Sequence, residues 1–253
     1  MAHQFKKKFG QNFLRDVNLL KKIVSTAHIK NKKVIEIGPG EGGLTQFIVK
    51  EAQEVIAFEI DDTLKPTLQQ LEHKHHNLKV KFQDFLTVEH LDPTFDHVIG
   101  NIPYNITSPI LFKILDLEHV QSATFMVQKE FAERLTASPN TKAYNALSVM
   151  TQLSFETHYE FTVTKKVFYP IPKVDSAVIS LKRKANPDQA LHAFVKDCFQ
   201  QKRKTILNNL FETRAIPKED TIRFLSELGY ASQTRAEQIK QNDFQLLFSK
   251  TLT

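Results

Sequence analysis

Near the middle of the chain, Asn101-Ile102-Pro103-Tyr104 brings together residue types suited to chemistry on an exocyclic amine. It closes Asp96-His97-Val98-Ile99-Gly100, which reads as a short buried strand, and precedes an apolar helix-like run over 106–117. A polar amide, a proline and an aromatic ring at the carboxyl end of a strand sit where open α/β sheets bind ligands. The Asn101 side-chain oxygen and a backbone carbonyl held open by Pro103 can both accept hydrogen bonds from an –NH2 group. That draws the nitrogen toward a tetrahedral, nucleophilic geometry, with acceptors placed where positive charge develops. Tyr104 offers a face on which a base can stack. The competing reading is an ordinary strand-to-helix turn, in which Asn and Pro are common.

Three strands upstream are needed to position this element, and each ends in a polar feature. A strand over 34–37 runs directly into Gly38-Pro39-Gly40-Glu41-Gly42-Gly43, then a helix over 46–51. Glycines there let backbone pack close to a ligand, next to the partly positive start of a helix. A strand over 55–58 ends in Glu59-Ile60-Asp61. An acidic side chain about twenty residues after the first glycine, at a second strand tip, is the ribose-binding arrangement of nucleoside-cofactor folds. Glu59 can accept both ribose hydroxyl hydrogens. The third strand, 79–82, leads to Asp84-Phe85. Asp84 can accept a hydrogen bond from an adenine amine with Phe85 packing at the ring edge, or it can simply cap a turn. Four successive strands with polar tips on one sheet edge form a consistent set.

Further along, 123–127 reads as a fifth strand, 129–135 as a helix and 137–144 as a polar loop. Residues 147–155 and 174–181 read as two long late strands, paired antiparallel. Between them the stiff Val167-Phe168-Tyr169-Pro170-Ile171-Pro172-Lys173 can present Phe168 to a base opposite Tyr104, or bury it as core. The pattern becomes helical after 182–187, with helices expected over 190–199, 203–211, 218–228 and 241–252. This gives two domains, 1–184 and 185–253.

The 253 residues carry a net charge of +6 and a pI of about 9.2, which favours a polyanionic partner, nucleic acid above all. Lys6, Lys7 and Lys8 precede Phe9-Gly10-Gln11-Asn12-Phe13-Leu14 and a helix capped by Asp16. This basic arm can contact phosphates, as can Lys202, Arg203, Lys204 and Arg235 in the helical part; a solvated charged face is the competing reading for each group. Cys198 is the sole cysteine, so a disulfide framework and a cysteine-based zinc site are both excluded within one chain. That fits a reducing compartment, and the cytoplasm is expected. Cys198 itself reads as core. No apolar run approaches the roughly twenty residues of a membrane span, and no secretory signal opens the chain.

The motifs Phe9-Gly-Gln-Asn-Phe-Leu14, Glu36-Ile-Gly-Pro-Gly40, Glu59-Ile-Asp61, Asn101-Ile-Pro-Tyr-Asn105, Gln128-Lys-Glu130 and Pro172-Lys-Val-Asp-Ser-Ala177 together resemble the rRNA adenine N6-dimethyltransferases. The resemblance implies an α/β fold of the class I S-adenosylmethionine methyltransferase type, Rossmann-like, with a seven-stranded mixed sheet and a small C-terminal all-helical domain. It implies S-adenosylmethionine as cofactor, no metal, and direct in-line transfer to N6, repeated for a second methyl. By the same resemblance Asn12, Leu14, Gly38, Gly40, Glu59, Ile60, Asp84, Phe85 and Asn101 line the cofactor pocket. Asn101, Ile102 and Tyr104 hold the target amine, and Phe168 packs on the flipped adenine.

Two branches share these motifs. One dimethylates two adjacent adenines in the 3′-terminal hairpin of 16S rRNA during maturation of the 30S subunit. The other dimethylates one adenine of 23S rRNA and confers macrolide-lincosamide-streptogramin B resistance. Thr107-Ser108-Pro109, Gln201-Lys-Arg-Lys-Thr205 and Arg235-Ala-Glu-Gln238 resemble the first branch, the kasugamycin-sensitivity type. The expected partner is therefore 16S rRNA within an immature 30S subunit, bound by a monomer. Two rivals stay open: a non-catalytic RNA-binding assembly factor, and a nucleoside-cofactor oxidoreductase, which would leave Asn101 to Tyr104 without a role.

Overall fold

The computed structural model describes residues 13–186 and 188–252. Lys6, Lys7, Lys8 and Asn12 lie outside the described residues. The described residues open with β1 (Phe13–Leu14) and α1 (Val17–Thr26). The Asp16 carboxylate caps α1 by accepting the Leu19 N–H at 3.0 Å, and Leu20, Ile23 and Val24 turn inward at helical spacing.

Strands and helices then alternate: β2 (Lys33–Ile37), α2 (Thr45–Glu51), β3 (Glu54–Glu59), α3 (Lys65–Lys74), β4 (Leu78–Phe82), β5 (His97–Asn101), α4 (Thr107–Asp116), β6 (Ser122–Gln128) and α5 (Lys129–Leu135). Next come α6 (Ala146–Ser154), β7 (Phe155–Val163), β8 (Phe168–Tyr169) and β9 (Ser176–Arg183). Four α-helices complete the described residues: α7 (Gln189–Cys198), α8 (Ile206–Arg214), α9 (Lys218–Glu227) and α10 (Gln241–Lys250).

Seven strands form one mixed sheet in the order β4-β3-β2-β5-β6-β9-β7, as expected for the fold class. β2 pairs in parallel with β3 on one side and β5 on the other, while β9 runs antiparallel to β6. Val34, Ile35, Val55 and Ala57 are wholly buried, as central parallel strands covered on both faces require. The strand order reverses between β2 and β5, and a crevice opens beyond their carboxyl ends. β1 and β8 make a separate two-stranded antiparallel ribbon, with Leu14 opposite Phe168 and Phe13 opposite Tyr169.

The structure corrects one element. Residues 147–155, expected as a strand, are almost all helix α6. The Asn145 side chain accepts the Leu147 and Ser148 N–H groups, and Ser148 Oγ accepts the Asn145 N–H at 3.1 Å. This reciprocal cap starts a helix. α6 is buried nearly all round, and a continuous apolar run of that length has no periodicity to separate helix from strand. β7 begins instead at Phe155, and between its buried ends exposed and half-buried residues alternate to Val163.

The chain divides into two compact units: Met1–Ala132 with His158–Arg183, and Glu133–Thr157 with Lys184–Thr253. The expected division at 184/185 draws a single boundary; α6 and the segment around it group with the C-terminal helices. Inside that helical unit, Phe199 stacks on Phe244 with ring centres 5.7 Å apart, and the buried Tyr144 hydroxyl donates to the Ile239 carbonyl at 2.9 Å. Cys198 is fully buried there. α8 begins at Ile206, later than the expected 203, because Thr205 Oγ1 accepts the Asn208 N–H and caps it. No helix among the described residues is long and apolar enough to cross a membrane.

Candidate active site

A cavity of about 240 Å³ lies in the crevice, and the tips of β2, β3, β4 and β5 all reach it. Leu14, Gly38, Gly40, Glu59, Ile60, Asp84, Phe85, Asn101, Ile102 and Tyr104 line it. The structure therefore brings together every expected pocket residue it describes except Phe168.

The glycine turn after β2 is shaped from both sides. Gly38 and Gly40 have φ of +69° and +58°, conformations that side chains disfavour. A Cβ on Gly40 would come within 2.7 Å of the Phe13 ring. A Cβ on Gly38 would meet the Asn101 carbonyl at 3.8 Å, ordinary van der Waals contact, so the turn lies close against the Asn-Ile-Pro-Tyr element. α2 is short, seven residues, and Leu44 supplies no side-chain cap. Backbone close approach is thus the turn's main contribution.

Glu59 ties that turn to the tip of β3. One carboxylate oxygen accepts the Gly40 N–H at 3.0 Å and the other accepts the Asp61 N–H at 2.9 Å. Burial raises the Glu59 pKa, and these backbone bonds oppose the rise. The carboxylate is therefore oriented before any ligand arrives, with remaining lone pairs on each oxygen. Ile60, next to it, is half exposed at the rim.

Asp84 caps a turn and also faces the cavity. Its Oδ1 accepts the Leu86 N–H at 2.9 Å, capping a short 3-10 turn over Phe85–Thr87. Phe85 is buried edge-on against Phe58, with ring centres 5.5 Å apart.

The Asn101–Tyr104 element is held at three points. The Ile102 N–H donates to the Met126 carbonyl at 3.0 Å, which carries the β5–β6 alignment one residue beyond the strand. The Pro103 carbonyl accepts the Ile106 N–H at 3.1 Å and the Thr107 hydroxyl at 3.2 Å. The Tyr104 hydroxyl lies 2.7 Å from Ser176 Oγ on β9. Desolvation raises the Tyr104 pKa, so the phenol stays protonated at neutral pH.

Phe168 is the residue that departs from expectation. It is 3% exposed and belongs to the core cluster with Leu14, Val163 and Val178, off the cavity wall. Side chains alternate along a strand, so pairing of β8 with β1 turns Phe168 inward and Tyr169 outward.

Three contributors were not singled out from the sequence. Ser176 was legible only as part of the Pro172–Ala177 motif; its bond to Tyr104 joins residues far apart in the chain. Lys113 on α4 donates to the Leu86 carbonyl at 3.1 Å and the Val88 carbonyl at 2.5 Å, and its ammonium sits 5.1 Å from the Phe85 ring centre. Glu36, behind the glycine turn, is fully buried and its pKa is pushed up to about 8, chiefly by desolvation. Thr45 lies close enough to oppose that shift, yet among the described residues neither Glu36 Oε2 nor Thr45 Oγ1 completes a hydrogen bond.

In the helical unit, Lys202, Arg203 and Lys204 lie in the loop before α8. The Asn209 side chain fixes this loop by donating to the Cys198 carbonyl at 2.8 Å and the Gln201 carbonyl at 3.2 Å. Lys204 pairs with Glu212 at 2.5 Å, and the Ile206 N–H reaches the Thr234 carbonyl at 2.9 Å, which brings the exposed Arg235 beside the loop.

Residues 2–251 match the family model of the ribosomal RNA adenine dimethylases. The chain belongs to this family. It is 48% identical over 263 residues to a ribosomal RNA small subunit methyltransferase A of Onion yellows phytoplasma, covering 99% of this chain and 97% of the relative. A dimethyladenosine transferase from Plasmodium falciparum superposes with a TM-score of 0.81 at 29% identity, covering 93% of this chain and 95% of that one. The 23S rRNA methyltransferase ErmE superposes with a TM-score of 0.77 at 31% identity, covering 95% of this chain and all of that one. This dimethylase is thus an rRNA adenine methyltransferase with S-adenosylmethionine as cofactor. The close-lying glycine backbone, the preset Glu59 carboxylate and the Phe85 ring along one cavity fit a nucleoside methyl donor.

Proposed function

We propose that this dimethylase methylates N6 of two adjacent adenines, twice each, in the 3′-terminal hairpin of 16S rRNA within an immature 30S subunit. It acts as a cytoplasmic monomer. The observation that carries the target is the 48% identity, over nearly the full length of both chains, to a small-subunit methyltransferase. The likeness to ErmE supports 23S rRNA as a second reading, at lower identity.

Within the cavity, Asp84 and Phe85 would hold the cofactor's adenine, Glu59 its ribose hydroxyls, and Leu14, Gly38 and Gly40 its amino-acid end. When bound there, the cofactor supplies an electrophilic methyl group on a sulfonium. Everything else is positioning. The Asn101 side-chain oxygen and the Ile102 carbonyl, at the tip of β5, accept the two N6 hydrogens. Those bonds turn the nitrogen lone pair out of conjugation and stabilise the positive charge that develops on it. The Tyr104 ring, fixed by Ser176, stacks on the base. Its phenol stays protonated, so the proton released from N6 passes to solvent with no strong base in the wall. Lys6, Lys7, Lys8, Lys202, Arg203, Lys204 and Arg235 contact RNA phosphates.

The test is methyl transfer from labelled S-adenosylmethionine to 30S and 50S subunits lacking these modifications, with the product nucleotides mapped. Dimethyladenine at two adjacent positions of the 3′-terminal hairpin is expected. Label confined to 23S rRNA would overturn the target, and no transfer to either subunit would overturn the catalytic reading.

A further inference from the structure

Strand β8 splits its two side chains between core and solvent: Phe168 is buried, and Tyr169 is 52% exposed. Ile171 and Val174 follow at 63% and 45%. Three large apolar side chains this exposed within six residues differ from the single ones scattered over any surface. The Arg15 guanidinium lies 5.0 Å from the Tyr169 ring centre, with its own side chain 61% exposed. Lys165 and Lys173, both exposed, flank the same loop.

Both ends of this loop are tied to the cavity. Tyr169 pairs across the ribbon with Phe13, which lines the cavity, and beyond the loop Ser176 holds the Tyr104 hydroxyl. An outward aromatic ring, a guanidinium in contact with it and cations alongside match the way unpaired RNA is gripped. Bases stack on aromatic and guanidinium planes while lysines follow the phosphates.

We propose that Tyr169 and Arg15 form a stacking platform for the unpaired nucleotide adjoining the target adenine. This rests on the reading that the adenine enters at Asn101 to Tyr104. The neighbouring base, stacked outside while the target is drawn inside, would hold the RNA in register and select substrates with an unpaired neighbour.

The test uses the full-length protein and two labelled hairpins, the small-subunit 3′-terminal one and the 23S one, each intact or abasic beside the target adenine; S-adenosylmethionine first identifies which intact hairpin is methylated, and binding is then measured with S-adenosylhomocysteine. On the hairpin that wild type methylates, Tyr169→Ala should weaken binding about tenfold, the scale of one base–aromatic stack. Tyr169→Phe should bind as wild type does, and the abasic RNA should abolish the difference. Arg15→Gln, at an exposed side chain outside the β1–β8 pairing, should show a smaller loss with the same dependence on the neighbouring base; it decides the matter if Tyr169→Ala also loses cofactor affinity. Wild-type affinity in both variants, or a loss equal on intact and abasic RNA, would overturn the platform. The second result would mark the loop as packing or as a protein-docking face. Methylation of the 23S hairpin alone would overturn the small-subunit reading and leave the platform to be decided on that RNA. No binding of either hairpin by wild type would overturn the platform, while the small-subunit reading is decided separately by methyl transfer to 30S subunits.

Discussion

Tyr104 and Ser176 are joined by a hydroxyl–hydroxyl hydrogen bond of 2.7 Å that spans 72 residues of chain. It fixes the aromatic wall of the cavity to the buried start of β9. Ser176→Ala should let the ring swing and lower kcat several-fold, in line with loss of one hydrogen bond of about 1 kcal/mol. Cofactor affinity should not change. Steady-state kinetics with equilibrium dialysis would check both; an unchanged kcat would show that the bond does not orient the ring.

In the proposed mechanism, Asn101→Ala removes an acceptor for charge that develops only during transfer. Methylation should fall by about 10²–10³, the effect of deleting one such electrostatic group, while rRNA affinity survives. Single-turnover methylation next to a filter-binding titration separates the two. Full activity in this variant would sink the proposed mechanism.

Lys113 bridges α4, which follows the Asn101–Tyr104 element, and the turn that carries Asp84 and Phe85. Lys113→Met leaves two carbonyls without their donor and frees the Phe85 side of the cavity. Calorimetric titration should show cofactor Kd rising about tenfold, with kcat at saturating cofactor nearly unchanged. Asp84→Ala is the companion variant: if only it weakens binding, Asp84 binds the adenine without help from Lys113.

Glu36 predicts a pH dependence. Its folded pKa of about 8 lies above the unfolded value of 4.5. The folded state therefore binds the proton more tightly, and stability from this group is complete below pH 4.5 and lost as pH rises through 8. The swing is on the order of a few kcal/mol. Glu36→Gln, which carries no charge to bury, should flatten the fall in Tm between pH 5 and pH 9 measured for wild type. An equally steep fall in the variant would place the dependence elsewhere.

The features legible along the chain are local ones. A compact apolar run followed by Gly-Pro-Gly can do little except end a buried strand in a turn of positive φ, and β2 does so. Acidic or amide residues directly after apolar runs put Glu59, Asp84 and Asn101 at strand tips, and parallel packing then brings those tips to one edge. Contacts between distant segments settled the rest. Whether Phe168 or Tyr169 faces the core follows from β8 lying against β1, since one step along a strand reverses the face. Residues 147–155 carry a pattern that suits helix or strand, and it was Asn145 closing on Ser148 that chose the helix. The partners Lys113 and Ser176 find, and the burial that moves Glu36, depend on chain segments that only folding brings within hydrogen-bond or van der Waals range.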